Sequence, residues 1–256
     1  MGVCPMMGRM WVMSSFCLLA SGGIVFAFEQ STLAGKFIIF LLMLASIFSW
    51  TVMWFKFVQI LAAQKQNRIF LERFRTARKP LLLFNSRRSY RPSPIAAVFR
   101  RGSAELCFHL IGSSEPDETF EAQVQRADAI SGSAIASVRS ALEQSVSEEA
   151  LKIESQLILL ATVVSGAPFL GLLGTVWGVM DAFSDVASAG SASLQVLAPG
   201  VSGALLTTVT GLLVAIPAMF GYNYLLNTVR KLTVEMENFA AECAANFEHQ
   251  YANQRH

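Results

Sequence analysis

Four threonines set among apolar and small residues carry the clearest chemistry in this chain. Thr175 lies in GLLGTVWGVM, and Thr207, Thr208 and Thr210 lie in ALLTTVTGLL. A threonine hydroxyl donates one hydrogen bond and accepts two, but it does not titrate at ordinary pH. In an apolar setting each one has two uses. It bonds back to its own helix backbone, or it lines a narrow wet path and meets a buried carboxylate from another chain. Neither use makes it a proton acceptor on its own. The other reactive side chains form no constellation. Cys4, Cys17, Cys107 and Cys243 have no metal-ligand spacing, and His109, His249 and His256 form no nucleophile–base set. No glycine-rich phosphate loop is present. We therefore expect no enzyme activity, no metal and no cofactor, and no nucleic-acid partner.

The elements that must position these threonines are apolar. Val186 to Val229 is a run of 44 residues without Asp, Glu, Lys, Arg or His, and Ser155–Met180 and Phe37–Phe55 are likewise uncharged. A bilayer-spanning helix needs about 20 predominantly apolar residues. Only 15% of the chain is charged, against about 25% in soluble domains. The fold class expected is all-α: a polytopic membrane protein with three long transmembrane helices extending into a helical cytoplasmic domain. The spans fall at 34–57, 157–180 and 201–226. They separate an N-terminal segment 1–33, a loop 58–156, a short loop 181–200 and a tail 227–256.

Charge orients the spans. Fifteen of the 20 Lys and Arg lie between Lys56 and Lys152, whereas the short loop holds Asp181 and Asp185 and no base. Positive charge collects on the cytoplasmic side, so 58–156 and the tail are cytoplasmic and the N-terminus and short loop are outside. Residues 10–28 read either as a signal peptide, with Arg9 before an apolar core and small residues at Ala20 to Gly23, or as a retained helix. Lys36 snorkels at the outer end of the first span, and Trp50, Trp54 and Lys56 anchor its inner end.

The cytoplasmic loop divides by sign. Residues 64–101 hold 11 Lys and Arg against Glu72, and 102–154 hold ten acids against Arg126, Arg139 and Lys152. The basic half is either a solvated face or a contact with anionic lipid headgroups. SRRSYRPSP at 86–94 reads as a turn, and 57–78 and 118–157 read as helices. The second helix has a narrow apolar stripe through Ala127, Ile130, Ala134, Ile135, Val138, Ala141, Leu142 and Val146, and it is expected to run into the second span unbroken.

The second and third spans are rich in small residues. Gly171, Gly174 and Gly178 lie in one, and Gly203 and Gly211 in the other. Small residues let membrane helices approach closely. Pro199 with Gly200 reads as a helix start and Pro217 as a kink, while Pro168 frees a carbonyl that a neighbour or a water must satisfy. Thr175 and Thr208 both fall ~8–11 Å below the outer end of their spans at 1.5 Å per residue, so two antiparallel helices present hydroxyls at one depth. The spans contain no ionisable residue except Lys36 and Lys56 at their edges, so an ion path would need a titratable group from another chain.

GAPFLGLLGTVWGVMDAF (166–183) and SLQVLAPGVSGALLTTVTGLLVAIPAMFGYN (193–223) resemble the signature of the TolQ/ExbB proton-channel proteins, distantly related to the flagellar stator MotA, with the context SLQVLAPG closer to TolQ. The resemblance implies a homo-oligomer, a pentamer, in the bacterial inner membrane. It implies a pore around the single spans of a TolR/ExbD-like partner carrying an intramembrane aspartate, with work passed to a TolA/TonB-like protein. By motif position Thr175 and Thr208 match pore-lining threonines, with Thr207 and Thr210 beside them. Pro199, Gly200, Gly211 and Pro217 match structural positions. The family pattern P-G-I-A-E-A-L reads Pro199-Gly200-Val201-Ser202-Gly203-Ala204-Leu205 here, so a glycine stands at the glutamate position. Two alternatives remain: a MotA-like stator subunit, or a membrane scaffold that holds a single-span partner and conducts nothing.

Overall fold

A computed structural model describes residues 25, 27–29, 31–85, 93–113, 120–126, 129–190 and 193–251. Among these the chain is helical, with no strand beyond an isolated bridge at Ile130. The order is α1 (Leu33–Thr76), a 3-10 helix (Pro80–Asn85), α2 (Pro94–Ile111), α3 (Phe120–Arg126), α4 (Gly132–Glu154), α5 (Leu157–Ala189) and α6 (Leu194–Tyr251). Helices α1, α5 and α6 are long and apolar enough to cross a membrane. The three-span, all-α expectation is therefore met, and each helix is longer than its apolar core requires. The signal-peptide question falls largely on residues outside the described ones, as does 86–92 of the expected turn.

Three local expectations change. The 118–157 helix is two helices, and α4 ends at Glu154 in a turn at Ser155–Gln156 rather than running into the second span. At that break the Ser155 hydroxyl donates to the Lys152 carbonyl at 2.9 Å. The third long helix starts at Leu194, not at Pro199–Gly200. Ser193 accepts the first backbone bonds, from Val196 at 3.1 Å and Leu197 at 3.3 Å. Pro199 then sits one turn inside, where its missing N–H leaves only the Gln195 carbonyl without a helical donor. Lys56 is not an interfacial anchor. It is 1% exposed and donates to the Ile153 carbonyl at 2.9 Å. A cation at the final turn of α4 is where a helix dipole favours one. Trp50 and Trp54 remain exposed.

The chain divides into two compact units. One comprises Met1–Val52 with Leu159–Tyr222, and the other Met53–Ile158 with Asn223–His256. In the second, α1 and α6 pack through an aromatic cluster of Phe70, Phe74, Phe99 and Phe239, with ring centroids 5.0–6.4 Å apart. Ser93 caps α2 by accepting from Ala96 N–H, with Pro94 in its first turn. Asn67, 1% exposed, accepts from the Ser93 hydroxyl at 2.7 Å and so fixes that cap to α1. Helices α2 and α4 meet at Gly102, where a Cβ would lie 2.6 Å from Leu142 Cγ.

In the first unit α5 and α6 run antiparallel and are zipped by small residues. A Cβ on Gly200 would lie 2.7 Å from Ala182 Cβ, one on Gly178 2.8 Å from Ala204 Cβ, and one on Gly211 2.6 Å from the Ala167 carbonyl. The contacts climb α6 as they descend α5, so the small residues of the two helices meet along one antiparallel seam. Ile38 and Leu42 of α1 pack on this pair with Ala167, Val214 and Ala215. The outward faces carry exposed Phe169, Leu213 and Phe220, as a lipid-facing surface requires.

Candidate functional site

Glycine on α5 brings the threonines together. Gly171 has Thr208 Cα only 3.0 Å from where its Cβ would stand, and at Gly174 a Cβ would meet the Thr207 side chain. The two backbones are therefore close enough for hydroxyls on α6 to reach carbonyls on α5. Thr208 Oγ1 donates to the Gly171 carbonyl at 3.1 Å, and Thr207 Oγ1 donates to the same carbonyl at 3.1 Å. Thr175 Oγ1 lies 3.2 Å from that carbonyl and 3.3 Å from the Ala204 carbonyl. Thr175 and Thr208 hydroxyls also hydrogen-bond each other. The depth match expected from counting residues is thus a direct contact.

The four hydroxyls are not equivalent. Thr175 and Thr208 are half-buried, so each keeps a face outside the helix pair. Thr207 is 0% exposed and spends its hydroxyl on the Ala204 carbonyl at 2.6 Å as well as on Gly171. Its methyl lies 3.8 Å from the Cβ position of Gly35 on α1. Thr210 is half-buried and donates to its own helix, to the Leu206 carbonyl at 2.8 Å. Thr175 and Thr208 are thus partly exposed residues whose hydroxyls meet between the helices, Thr207 lies inside the packing, and Thr210 bonds its own helix.

Gly203 occupies a different contact. A Cβ there would lie 2.8 Å from both Cα and Oγ of Ser31 and 3.2 Å from its N. Ser31 is 7% exposed. Its hydroxyl donates to the Ala27 carbonyl at 2.8 Å and lies 3.5 Å from the Gly203 carbonyl. Lys36 Nζ donates to the Glu29 carbonyl at 3.1 Å, which holds the same short segment against the start of α1. The space a side chain at 203 would take is filled by backbone. Sequence reading gave Ser31 no role. No local pattern links it to a glycine 172 residues away, and only the glycine in an otherwise ordinary helix was a signal.

Chemically the cluster is a set of hydroxyls and carbonyls. Among the described residues no group of His, Cys, Asp or Glu is placed to hold a metal. The acids next along α5 are Asp181, half-buried, and Asp185, exposed. Asp181 is six residues from Thr175, ~9 Å along the helix. The cluster can solvate a proton or cation, or hydrogen-bond a carboxylate brought to it, but it has no titrating group of its own.

A helical membrane protein with a hydroxyl-lined, glycine-packed helix pair is the class that fold and site define. The family model described as the MotA/TolQ/ExbB proton channel family matches residues 112–238, which include every threonine above. The chain is 30% identical over 215 residues to the Tol-Pal system protein TolQ of Haemophilus influenzae, covering 84% of this chain and 89% of that protein. It is 28% identical over 215 residues to the biopolymer transport protein ExbB of Salmonella typhimurium, covering 84% and 82%. With ExbB of Xanthomonas campestris the identity is 44%, over 100 residues that span 39% of this chain and 40% of that protein. The chain belongs to the MotA/TolQ/ExbB proton channel family.

Proposed function

We propose that this chain is the multispan subunit of a proton-driven, energy-transducing complex of Tol-Pal or TonB type in the bacterial inner membrane. Several copies enclose a TolR/ExbD-like single-span partner, whose intramembrane carboxylate takes and releases the proton. The N-terminus is outside and the C-terminus in the cytoplasm. Work passes to a TolA/TonB-like protein. The observation that carries this reading is the Thr175–Thr208 hydroxyl pair, on partly exposed residues of a close-packed helix pair with, among the described residues of α5 and α6, no carboxylate at its level. A charge arriving there meets oriented hydroxyls instead of hydrocarbon, and a buried unsolvated charge costs kilocalories. The titrating group belongs to the partner, and this chain supplies its polar surroundings.

The test is proton flux through the reconstituted complex, together with native mass spectrometry of that complex. Thr175→Val and Thr208→Val keep the shape and remove the hydroxyl. Each is expected to abolish most flux and outer-membrane function while leaving copy number and bound partner unchanged. Full activity in both variants rejects the pore role. A complex that retains its partner but passes no protons in the unmodified form supports the scaffold reading, which the glycine at 203 favours.

A further inference from the structure

Pro168 lies inside α5, and its missing N–H leaves the Val164 carbonyl without a helical donor. In hydrocarbon such a carbonyl needs a side chain or a water. The adjacent hydroxyl does not supply the bond. Ser165 Oγ donates instead to the Ala161 carbonyl at 3.0 Å or to the Thr162 carbonyl at 3.3 Å. Each of these also stands where a backbone N–H four residues on bonds it. Ser165 is exposed, and a hydroxyl oxygen accepts two bonds as well as donating one. A carbonyl short of a donor and a hydroxyl with room to accept thus sit on consecutive residues.

Their place on the helix links them to the threonines. Val164 is eleven residues before Thr175, about three full turns, and Pro168 is seven before it, about two. All three are half-buried and share one side of α5. That side adjoins the seam of Gly171, Gly174 and Gly178, whereas Phe169, 71% exposed, points away from it. Ser165 stands about a quarter turn round from the line. Val164 is ~16 Å from Thr175 along the axis and ~10 Å from Leu157, where α5 begins. Between Leu157 and Thr175 the only polar side chains are Thr162 and Ser165, and α6 has none from Gly211 to Gly221. Pro217 frees a carbonyl too, that of Leu213. Leu213 is five residues from Thr208, about 140° round α6, and its side chain is 68% exposed. The same break therefore falls away from the hydroxyl pair on α6 and in line with it on α5.

We propose that the Val164 carbonyl and the Ser165 hydroxyl hold water and form the inward stage of the proton path, between the Thr175–Thr208 pair and the N-terminal end of α5. The proposal rests on the proton-driven reading above. The partner's carboxylic acid gives its proton to water and returns to the carboxylate. The resulting hydronium is held by two oxygens that accept hydrogen bonds and do not titrate. Without this stage a charge leaving the threonines faces ~27 Å of helix with no fixed acceptor aimed at it. With it the distance divides into ~16 Å and ~10 Å.

The full chain reconstituted with its partner, with Cys4 and Cys17 changed to Ser, tests this. Pro168→Ala returns an N–H to the Val164 carbonyl and is expected to lower proton flux about tenfold. Ser165→Ala is expected to lower it severalfold, and Ser165→Thr to recover it. The double variant is expected to conduct as Pro168→Ala alone, because both changes empty the same water. Losses that multiply assign the two residues to independent effects on helix shape and overturn the proposal. Native mass spectrometry checks that copy number and partner are unchanged. Separately, a water-soluble maleimide reacts with a thiolate, which forms only where water reaches. It is expected to label Ser165→Cys and not Phe169→Cys one turn on, and Pro168→Ala is expected to cut that labelling severalfold. Ser165→Cys as unreactive as Phe169→Cys overturns the proposal. So does full flux in both Pro168→Ala and Ser165→Ala. If Thr175→Val and Thr208→Val still abolish flux in either case, the proton-driven reading stands. A parent complex that passes no protons rejects that reading and this proposal with it.

Discussion

Gly203 is where a single side chain decides the most. Ser31 backbone lies 2.8 Å from the position its Cβ would take, a distance real Cβ contacts do not reach, so any larger residue moves the chain before α1. Gly203→Glu is expected to expel the segment around Ser31 without restoring an ordinary pore carboxylate. Maleimide labelling of a Ser31→Cys probe reads this out. Labelling should rise severalfold in Gly203→Glu, and unchanged labelling removes the packing argument. The buried thiols make a second residue-scale prediction. Desolvation pushes Cys107 up to about 12 and raises Cys243 also. At pH 8 about one Cys107 in ten thousand is then a thiolate, against about a quarter for a free cysteine. Peptide mapping after alkylation at pH 8 should find Cys107 unlabelled in folded protein and labelled after unfolding. Because the unfolded thiol ionises near 8.5 and the folded one does not, folding stability falls as pH rises from about 8.5 towards 12, by up to about 1.4 kcal/mol per pH unit for each such thiol. The threonine pair was legible because two helix ends and a fixed rise per residue set its depth. Ser31 was not, since its partner is distant in the chain and the contact is between backbones.

Among the elements, α4 was read well and α2 was missed. The stripe through Ala134, Ile135, Val138, Leu142 and Val146 is buried as helical spacing demands. Residues 94–111 carried a helix signal in Ser93–Pro94, a cap followed by a proline that suits a first turn, but two prolines in nine residues read first as a turn. The end of α4 at Glu154 had no sequence mark beyond Ser155. The Lys56 amine on the Ile153 carbonyl, which sets that end, comes from another helix. Helix packing here predicts a measurable cost. Gly102→Val drives methyls into Leu142 and is expected to destabilise the α2–α4 contact by about 1–3 kcal/mol. Phe74→Ala, which empties the centre of the aromatic cluster, is expected to cost about 3–5 kcal/mol. Thermal unfolding of the detergent-solubilised protein, followed by circular dichroism, checks both. Equal midpoints for variant and parent would refute the packing described.

For the whole molecule, the bilayer made the sequence readable. Backbone groups in hydrocarbon must be satisfied within helices, so three uncharged runs give three long helices and no other arrangement. The proposed orientation rests on the basic residues between Lys56 and Lys152. An epitope placed after Tyr251 is expected to be shielded from protease in spheroplasts and cut in inverted vesicles. A Ser188→Cys probe should label from the outside. The reverse pattern would overturn the orientation. The titrating group of the proposed path is not legible in this chain, because a carboxylate on another chain would leave no mark on this one except a polar surface to receive it.

The Gly171 carbonyl has two lone pairs, one of them committed to its helical N–H, yet three hydroxyls lie within 3.2 Å of it. They cannot all be served at once. At any instant some must turn to the Ala204 carbonyl or to each other, and several arrangements share the same heavy-atom positions. An approaching charge can select among the arrangements without displacing an atom heavier than hydrogen. The patch responds as an induced dipole, of either sign and with little inertia, where a fixed carboxylate would answer every visitor with the same charge.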